Sequence, residues 1–97
     1  KGKSVLFAIH CFDKADHLQV RMDTRTAHLD HLKAVRDRIF AAGPTLDSNG
    51  KPNGSLIIVE YDDIAEAQAL ADGDPYKAAG LFEAVTVQPW NKIELPE

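Results

Sequence analysis

The chain has 97 residues, of which 44% are hydrophobic and 27% charged, with a formal net charge of −4. That length leaves no room for a cofactor domain beside a substrate domain, and the composition lies away from disordered and membrane-spanning classes, so one domain over residues 1–97 is expected. Charges of both signs are interspersed, with no Lys/Arg run and no basic-aromatic interleaving, which argues against a nucleic-acid partner.

Lys1-Gly2-Lys3 shows no apolar pattern and is given no weight. Val5 to Cys11 is rich in β-branched and aromatic residues and ends at the polar stretch Asp13 to Asp16, which reads as a strand followed by a turn. Its apolar part, Val5 to Ile9, is the longest apolar run and is too short to span a bilayer; nothing resembles a signal peptide, and the expected setting is cytoplasmic. The single cysteine, Cys11, has no internal partner and reads as a buried strand-end residue rather than a nucleophile. From His17 to Ala42 the period becomes helical, through Leu18, Met22, Leu29, Leu32, Val35 and Ile39, and Gly43-Pro44 is expected to stop that helix. Pro44 to Leu46 suits a short second strand, and residues 47–54 are too dense in turn formers for any regular element. Ser55 to Tyr61 has an unbroken apolar centre, as expected of a central strand. Asp62 or Asp63 then caps a helix carrying Ile64, Ala67, Leu70 and Ala71, which Asp74-Pro75 ends. A turn through Tyr76 to Gly80 leads into a last strand from Phe82 to Val87, on to Trp90 and Ile93. The order strand, helix, strand, strand, helix, strand fits an α+β, ferredoxin-like βαββαβ antiparallel sheet with both helices on one face. The other face would expose apolar side chains unless covered, and a chain this short gains from extra burial, so a homodimer is expected.

Polar residues interrupt the apolar stripes at two places. His28 lies four residues before Leu32 on the first helix, with Arg25 one turn earlier, and Asp74 closes the stripe of Ile64, Ala67 and Ala71. An ionised carboxylate facing an apolar interior is costly unless paired, and an imidazole can answer its charge; together they supply a proton donor and acceptor. The plainer alternative is a structurally satisfied histidine and an aspartate serving as a turn or cap residue. His10 alternates within the first strand, His17 starts a helix, and His31 lies three residues from His28; no third ligand at a recognisable spacing joins them, so no metal is expected. Ser55, after Gly54, either faces a pocket or simply enters its strand. There is no Gly-x-Ser-x-Gly elbow, no phosphate-binding glycine loop and no Cys-x-x-Cys pair, which argues against serine hydrolases, nucleotide enzymes and thioredoxin-like proteins. No cofactor is expected.

Ala27-His28-Leu29, Ala41-Ala42-Gly43-Pro44, Gly54-Ser55, the run from Asp74-Pro75-Tyr76 to Phe82, and Val87-Gln88-Pro89-Trp90, taken in order, resemble the YciI-like (YCII-related) family over nearly the whole chain. The resemblance implies a ferredoxin-like fold assembled as a dimeric α+β barrel, with His28 and Asp74 facing one pocket and Ser55 as a neighbour. Members of that family have been proposed as enzymes, and one branch resembles a dehydrochlorinase acting on chlorinated hydroxyquinol, while most members have no assigned reaction.

Three readings follow. The first is a small cofactor-independent lyase or isomerase, dehydrochlorinase-like, acting on a compact, aromatic or phenolic metabolite. In it His28 moves the proton, Asp74 orients and stabilises the imidazole, and Arg25 or Ser55 holds an anionic or hydroxyl group of the substrate. The second is a non-catalytic small-ligand-binding or accessory dimer, and the third a purely structural dimerisation module.

Overall fold

Alternation of apolar side chains places β1 (Val5–Asp13) and β3 (Pro52–Tyr61) side by side at the centre of a sheet, because each has one face that must be buried. In the computed structural model, which describes residues 4–96, these strands pair antiparallel from Val5 opposite Tyr61 to Phe12 opposite Gly54. Lys1 to Lys3 and Glu97 lie outside the described residues. β2 (Ile39–Leu46) flanks β3 and β4 (Phe82–Pro89) flanks β1, giving a four-stranded antiparallel sheet of order β2-β3-β1-β4. With α1 (Leu18–Lys33), α2 (Ile64–Asp72) and the short α3 (Pro75–Ala78), this is the expected α+β, ferredoxin-like architecture.

Phe7, Ile9 and Cys11 of β1 and Ile57, Val59 and Tyr61 of β3 share one sheet face, and they form a buried cluster with Leu32 of α1 and Ala67, Leu70 and Ala71 of α2. On the other face Phe12 and Leu56 are exposed, while Ala8 and its partner Ile58, further along the strands, are buried. No helix among the described residues is long and apolar enough to cross a membrane.

The structure corrects the expected helix from His17 to Ala42. α1 ends at Lys33, a 3₁₀ turn covers Arg36–Arg38, and Ile39–Leu46 is a strand. Val35 and Ile39 fall on the helical period yet pack against the core from a loop and a strand. The β-branched and aromatic pair Ile39-Phe40 favours extended backbone, pairing with β3 satisfies it, and Pro44 is tolerated because β2 is an edge strand. Gly43-Pro44 is therefore inside a strand and not a helix stop. The loop expected over residues 47–54 is also shorter. Asp47 closes it by accepting the Asn49 and Lys51 N–H groups on Oδ1, and β3 has begun by Pro52.

Asp63 caps α2 and forms a reciprocal capping box with Glu66. Asp74-Pro75 does not end α2, which stops at Asp72; instead Asp74 caps α3, where a turn was expected, with Pro75 at the first helical position. α3 closes with a Schellman pair: Leu81 N–H donates to Tyr76 O and Gly80 N–H to Lys77 O, both at 3.0 Å, and Gly80 takes the left-handed φ of 78° that this ending requires. β4 stops at Pro89, short of Ile93, which is highly exposed.

One glycine is fixed by space alone. A Cβ on Gly54 would collide with the Cys11 carbonyl oxygen and lie 2.6 Å from Thr45 Oγ1, and the backbone atom cannot move aside. We expect Gly54→Ala to lower stability by about 1–3 kcal/mol, as overpacking does, measurable as a lower midpoint in urea unfolding. An unchanged midpoint would mean that β1 and β2 give way more easily than this geometry implies.

Candidate functional site

α1 presents His28 and Arg21 seven residues apart, two helical turns on one face, and both are buried. Toward them come Asp13 from the end of β1, Ser55 from β3, and Asp74 and Tyr76 from the start of α3.

His28 Nδ1 lies 2.9 Å and 3.0 Å from the two oxygens of Asp74, whose Oδ1 also accepts the Tyr76 backbone N–H at 2.9 Å. His28 is 7% exposed and Asp74 3%. An ionised carboxylate can only accept, so the hydrogen sits on Nδ1 and the lone pair of a neutral imidazole sits on Nε2. Among the described residues Nε2 has no hydrogen-bond partner, and it is not sealed off, because no fully buried side-chain nitrogen or oxygen lacks one. Tyr76 stacks on the imidazole, with ring centroids 4.0 Å apart and planes inclined by 15°.

Arg21 makes a second buried pair. Its Nε donates to Asp13 Oδ2 at 2.7 Å and its Nη2 to Asp13 Oδ1 at 2.9 Å, while Nη2 also donates to Ser55 Oγ at 3.0 Å. The guanidinium lies over the Tyr76 ring, 4.6 Å from its centroid, so that ring has a guanidinium and an imidazole as neighbours. Burial works against the Arg21 charge, but the hydrogen bonds and charge of Asp13 outweigh it and hold the guanidinium above its ordinary value. Burial likewise raises the Tyr76 phenol, against the lowering pull of Arg21, so it stays protonated at neutral pH.

These groups border a cavity of about 320 Å³ between α1 and the β2–β3 side of the sheet, lined by Arg21, Arg25, His28, Ser55 and Tyr76 among apolar residues that include Leu29, Leu32 and Ile57. That volume suits a small molecule. Of the residues singled out in the sequence, His28 and Asp74 meet, and Ser55 and Arg25 line the same cavity as His28; Arg25 is exposed and has no ion-pair partner among the described residues. Ser55 lies inside β3 rather than at its start. Asp74 arrives from the cap of α3 and not as the last residue of the α2 stripe.

Arg21, Asp13 and Tyr76 were not anticipated. Arg21 could have been found by stepping back seven residues from His28, and Asp13 by continuing the inward alternation of Phe7, Ile9 and Cys11. The other histidines are engaged elsewhere: His31 Nε2 bonds to Leu70 O, His17 Nδ1 to Ala15 O, and His10 packs on Phe12. Cys11 is 1% exposed, and burial, reinforced by the Asp74 charge, pushes its thiol up to about 12, so it is not a thiolate at neutral pH. Because Asp13 neutralises a buried cation, we expect Asp13→Ala to lose about 3–5 kcal/mol in denaturant unfolding, and the double variant with Arg21→Met to recover much of that loss. Additive losses in the two single variants would show that the pair is not coupled.

The chain and its fold have known relatives. A profile of the YCII-related domain matches residues 5–91. Protein YciI of Escherichia coli O6:H1 is 42% identical over 97 residues, covering 92% of this chain and 99% of that protein. Among solved structures, 5-chloro-2-hydroxyhydroquinone dehydrochlorinase (TftG) of Burkholderia phenoliruptrix AC1100, in complex with 2,5-dihydroxybenzoquinone, is similar at 35% identity and a TM-score of 0.83, covering 89% of this chain and 93% of that one. A dimeric ferredoxin-like protein of Bacteroides fragilis shares the fold at 17% identity and a TM-score of 0.53, covering 92% of this chain and 96% of that one. With the domain profile spanning nearly the whole sheet and its helices, and relatives this similar end to end, the chain belongs to the YCII-related domain family.

Proposed function

We propose that the chain works as one domain and is a small cofactor-independent enzyme, a lyase or isomerase of dehydrochlorinase-like type, acting on a compact, hydroxylated or aromatic metabolite. The observation that carries this reading is His28 Nε2, without a hydrogen-bond partner among the described residues, in an apolar-walled cavity, with Nδ1 tied to Asp74. In this scheme Nε2 takes a proton from an acidic O–H or C–H of the substrate, Asp74 holds the tautomer and stabilises the imidazolium, and Ser55 or Arg25 binds a substrate oxygen. If the electron pair left behind expels an anion such as chloride, the result is elimination. If His28 returns the proton to another atom, it is isomerisation. Neither route consumes an oxidant or a reductant. The similarity to a dehydrochlorinase that binds a dihydroxybenzoquinone supports the ring-shaped substrate and favours elimination.

The direct test is turnover of 5-chloro-2-hydroxyhydroquinone, followed by chloride release. We expect His28→Ala to slow it by about 10²–10⁴-fold, the usual contribution of a positioned base, and nitrogen-15 NMR to show Nδ1 protonated in the native chain but not fixed in Asp74→Ala. Turnover that survives His28→Ala unchanged would refute the assignment, and a bound compound recovered unaltered after long incubation would favour a ligand-binding protein.

We also propose that the protein is a cytoplasmic homodimer joined through the open sheet face. The exposed Phe12 and Leu56 on that face support the contact, as does the dimeric relative of the same fold, and the lone buried thiol suits a reducing compartment. Sedimentation should give a dimer that Leu56→Glu converts to monomer. A wild-type monomer at micromolar concentration would rule the contact out.

A further inference from the structure

The cavity lining carries three potentially cationic side chains, Arg21, Arg25 and His28, and no Asp or Glu. This is a local property, because the chain as a whole carries a net charge of −4. Asp13 answers the charge of Arg21, and Asp74 answers that of His28 when it is protonated, but Arg25 has no acidic partner within ion-pair distance among the described residues. The cavity is therefore left with one uncompensated positive charge.

Two donors inside it are also unspent. Arg21 binds Asp13 side-on through Nε and Nη2, which leaves Nη1 outside the hydrogen bonds to Asp13 and Ser55 and not sealed away, with the Tyr76 hydroxyl near enough to the guanidinium to support its charge. Ser55 Oγ already accepts a hydrogen bond from Arg21 Nη2, so its own hydrogen is free to donate, and the neighbouring cation makes it a stronger donor. Arg21 is 4% exposed and Ser55 2%, so both donors are fixed in place by the fold and shielded from bulk water.

We infer that the cavity takes a compact ligand bearing a single negative charge, whose anionic oxygen is held by Arg21 Nη1 and the Ser55 hydroxyl, with Arg25 answering the charge from the cavity edge. Carboxylates, phenolates and enolates have the required acceptor. The apolar walls at Leu29, Leu32 and Ile57 take the body of the ligand. This deepens the proton-transfer reading by naming the substrate's charge, and it rests on that reading only in treating the ligand as a substrate. Arg21 is then a binding residue in its own right as well as the group that orients Ser55.

The test compares benzoate with benzamide, its neutral counterpart of the same shape, by calorimetry and by amide shifts of Ser55 and its neighbours. Benzoate should bind at least about tenfold more tightly, a difference of about 1.4 kcal/mol. Ser55→Ala and Arg25→Gln, neither of which removes the buried Arg21–Asp13 pair, should each weaken benzoate several-fold and leave benzamide unaffected. Equal affinities, benzoate binding indifferent to both variants, or no benzoate binding at millimolar concentration would each overturn the assignment. Because the readout is binding, anion selectivity in a chain that turns nothing over would sink the proton-transfer reading and leave the anion subsite standing.

Discussion

Two polar side chains of α1, a guanidinium and an imidazole, are held against carboxylates from other elements, and the ring of Tyr76 lies beside both. Arg21 reaches back to Asp13 at the end of β1, and His28 reaches across to Asp74 at the start of α3. These two bonds fix how α1 sits over the sheet. They do for its polar side what Leu32 does for its apolar side, where the helix joins the common core. The arrangement accounts for a helix with weak amphipathic character holding its place in a small domain. Much of the inner face of α1 is not oily, and it is seated by directional, charge-assisted contacts.

Such seating is not the most stable solution available. Removing a charge from water costs several kcal/mol even after relaxation, and well-packed apolar residues of similar volume commonly do as well or better than a buried ion pair. Two such buried pairs flank one cavity in this chain. Each carboxylate holds one side chain of α1, and each side chain keeps a nitrogen with no hydrogen bond among the described residues: Nε2 on His28 and Nη1 on Arg21. The carboxylates act as anchors for the two side chains, Arg21 and His28, that line the cavity. Groups preorganised in this way need little reorganisation when charge develops on a bound molecule.

How much of this could be read from the sequence varies with the range of the interaction. The fold was legible because it follows from local patterning: alternation in β1 and β3, turn residues at Asp47 to Lys51, and the cap at Asp63. His28 and Asp74 were legible as polar breaks in apolar stripes. The end of α1 was not, because Val35 and Ile39 happen to continue a helical period while serving the same core from other backbone conformations; only the partner strand β3 decides between them. Arg21 and Asp13 were obscure for a related reason. A charged residue on a helix and an aspartate near a strand end are usually solvated; the helical and strand periods place Arg21 and Asp13 on inward faces, and only the tertiary approach of β1 to α1 shows that they pair.

Asp74 shows how closely site and scaffold are joined. Its carboxylate accepts the Tyr76 backbone N–H as the cap of α3 and accepts His28 Nδ1 in the same geometry. Pro75 fixes the first helical φ, the Schellman ending at Gly80 closes the turn, and the fully buried Leu81 ties it to the sheet, where Lys14 N–H donates to Leu81 O at 2.8 Å. A four-residue helix is too short to hold itself together by its internal hydrogen bonds, so its position comes from these end contacts. The same end contacts aim the imidazole, because the carboxylate that starts α3 is the one that holds Nδ1. Loosening the turn would release His28 from its tautomer before it disturbed the core. The stretch from Asp74 to Leu81 is therefore part of the site in a physical sense, although only Tyr76 within it lines the cavity.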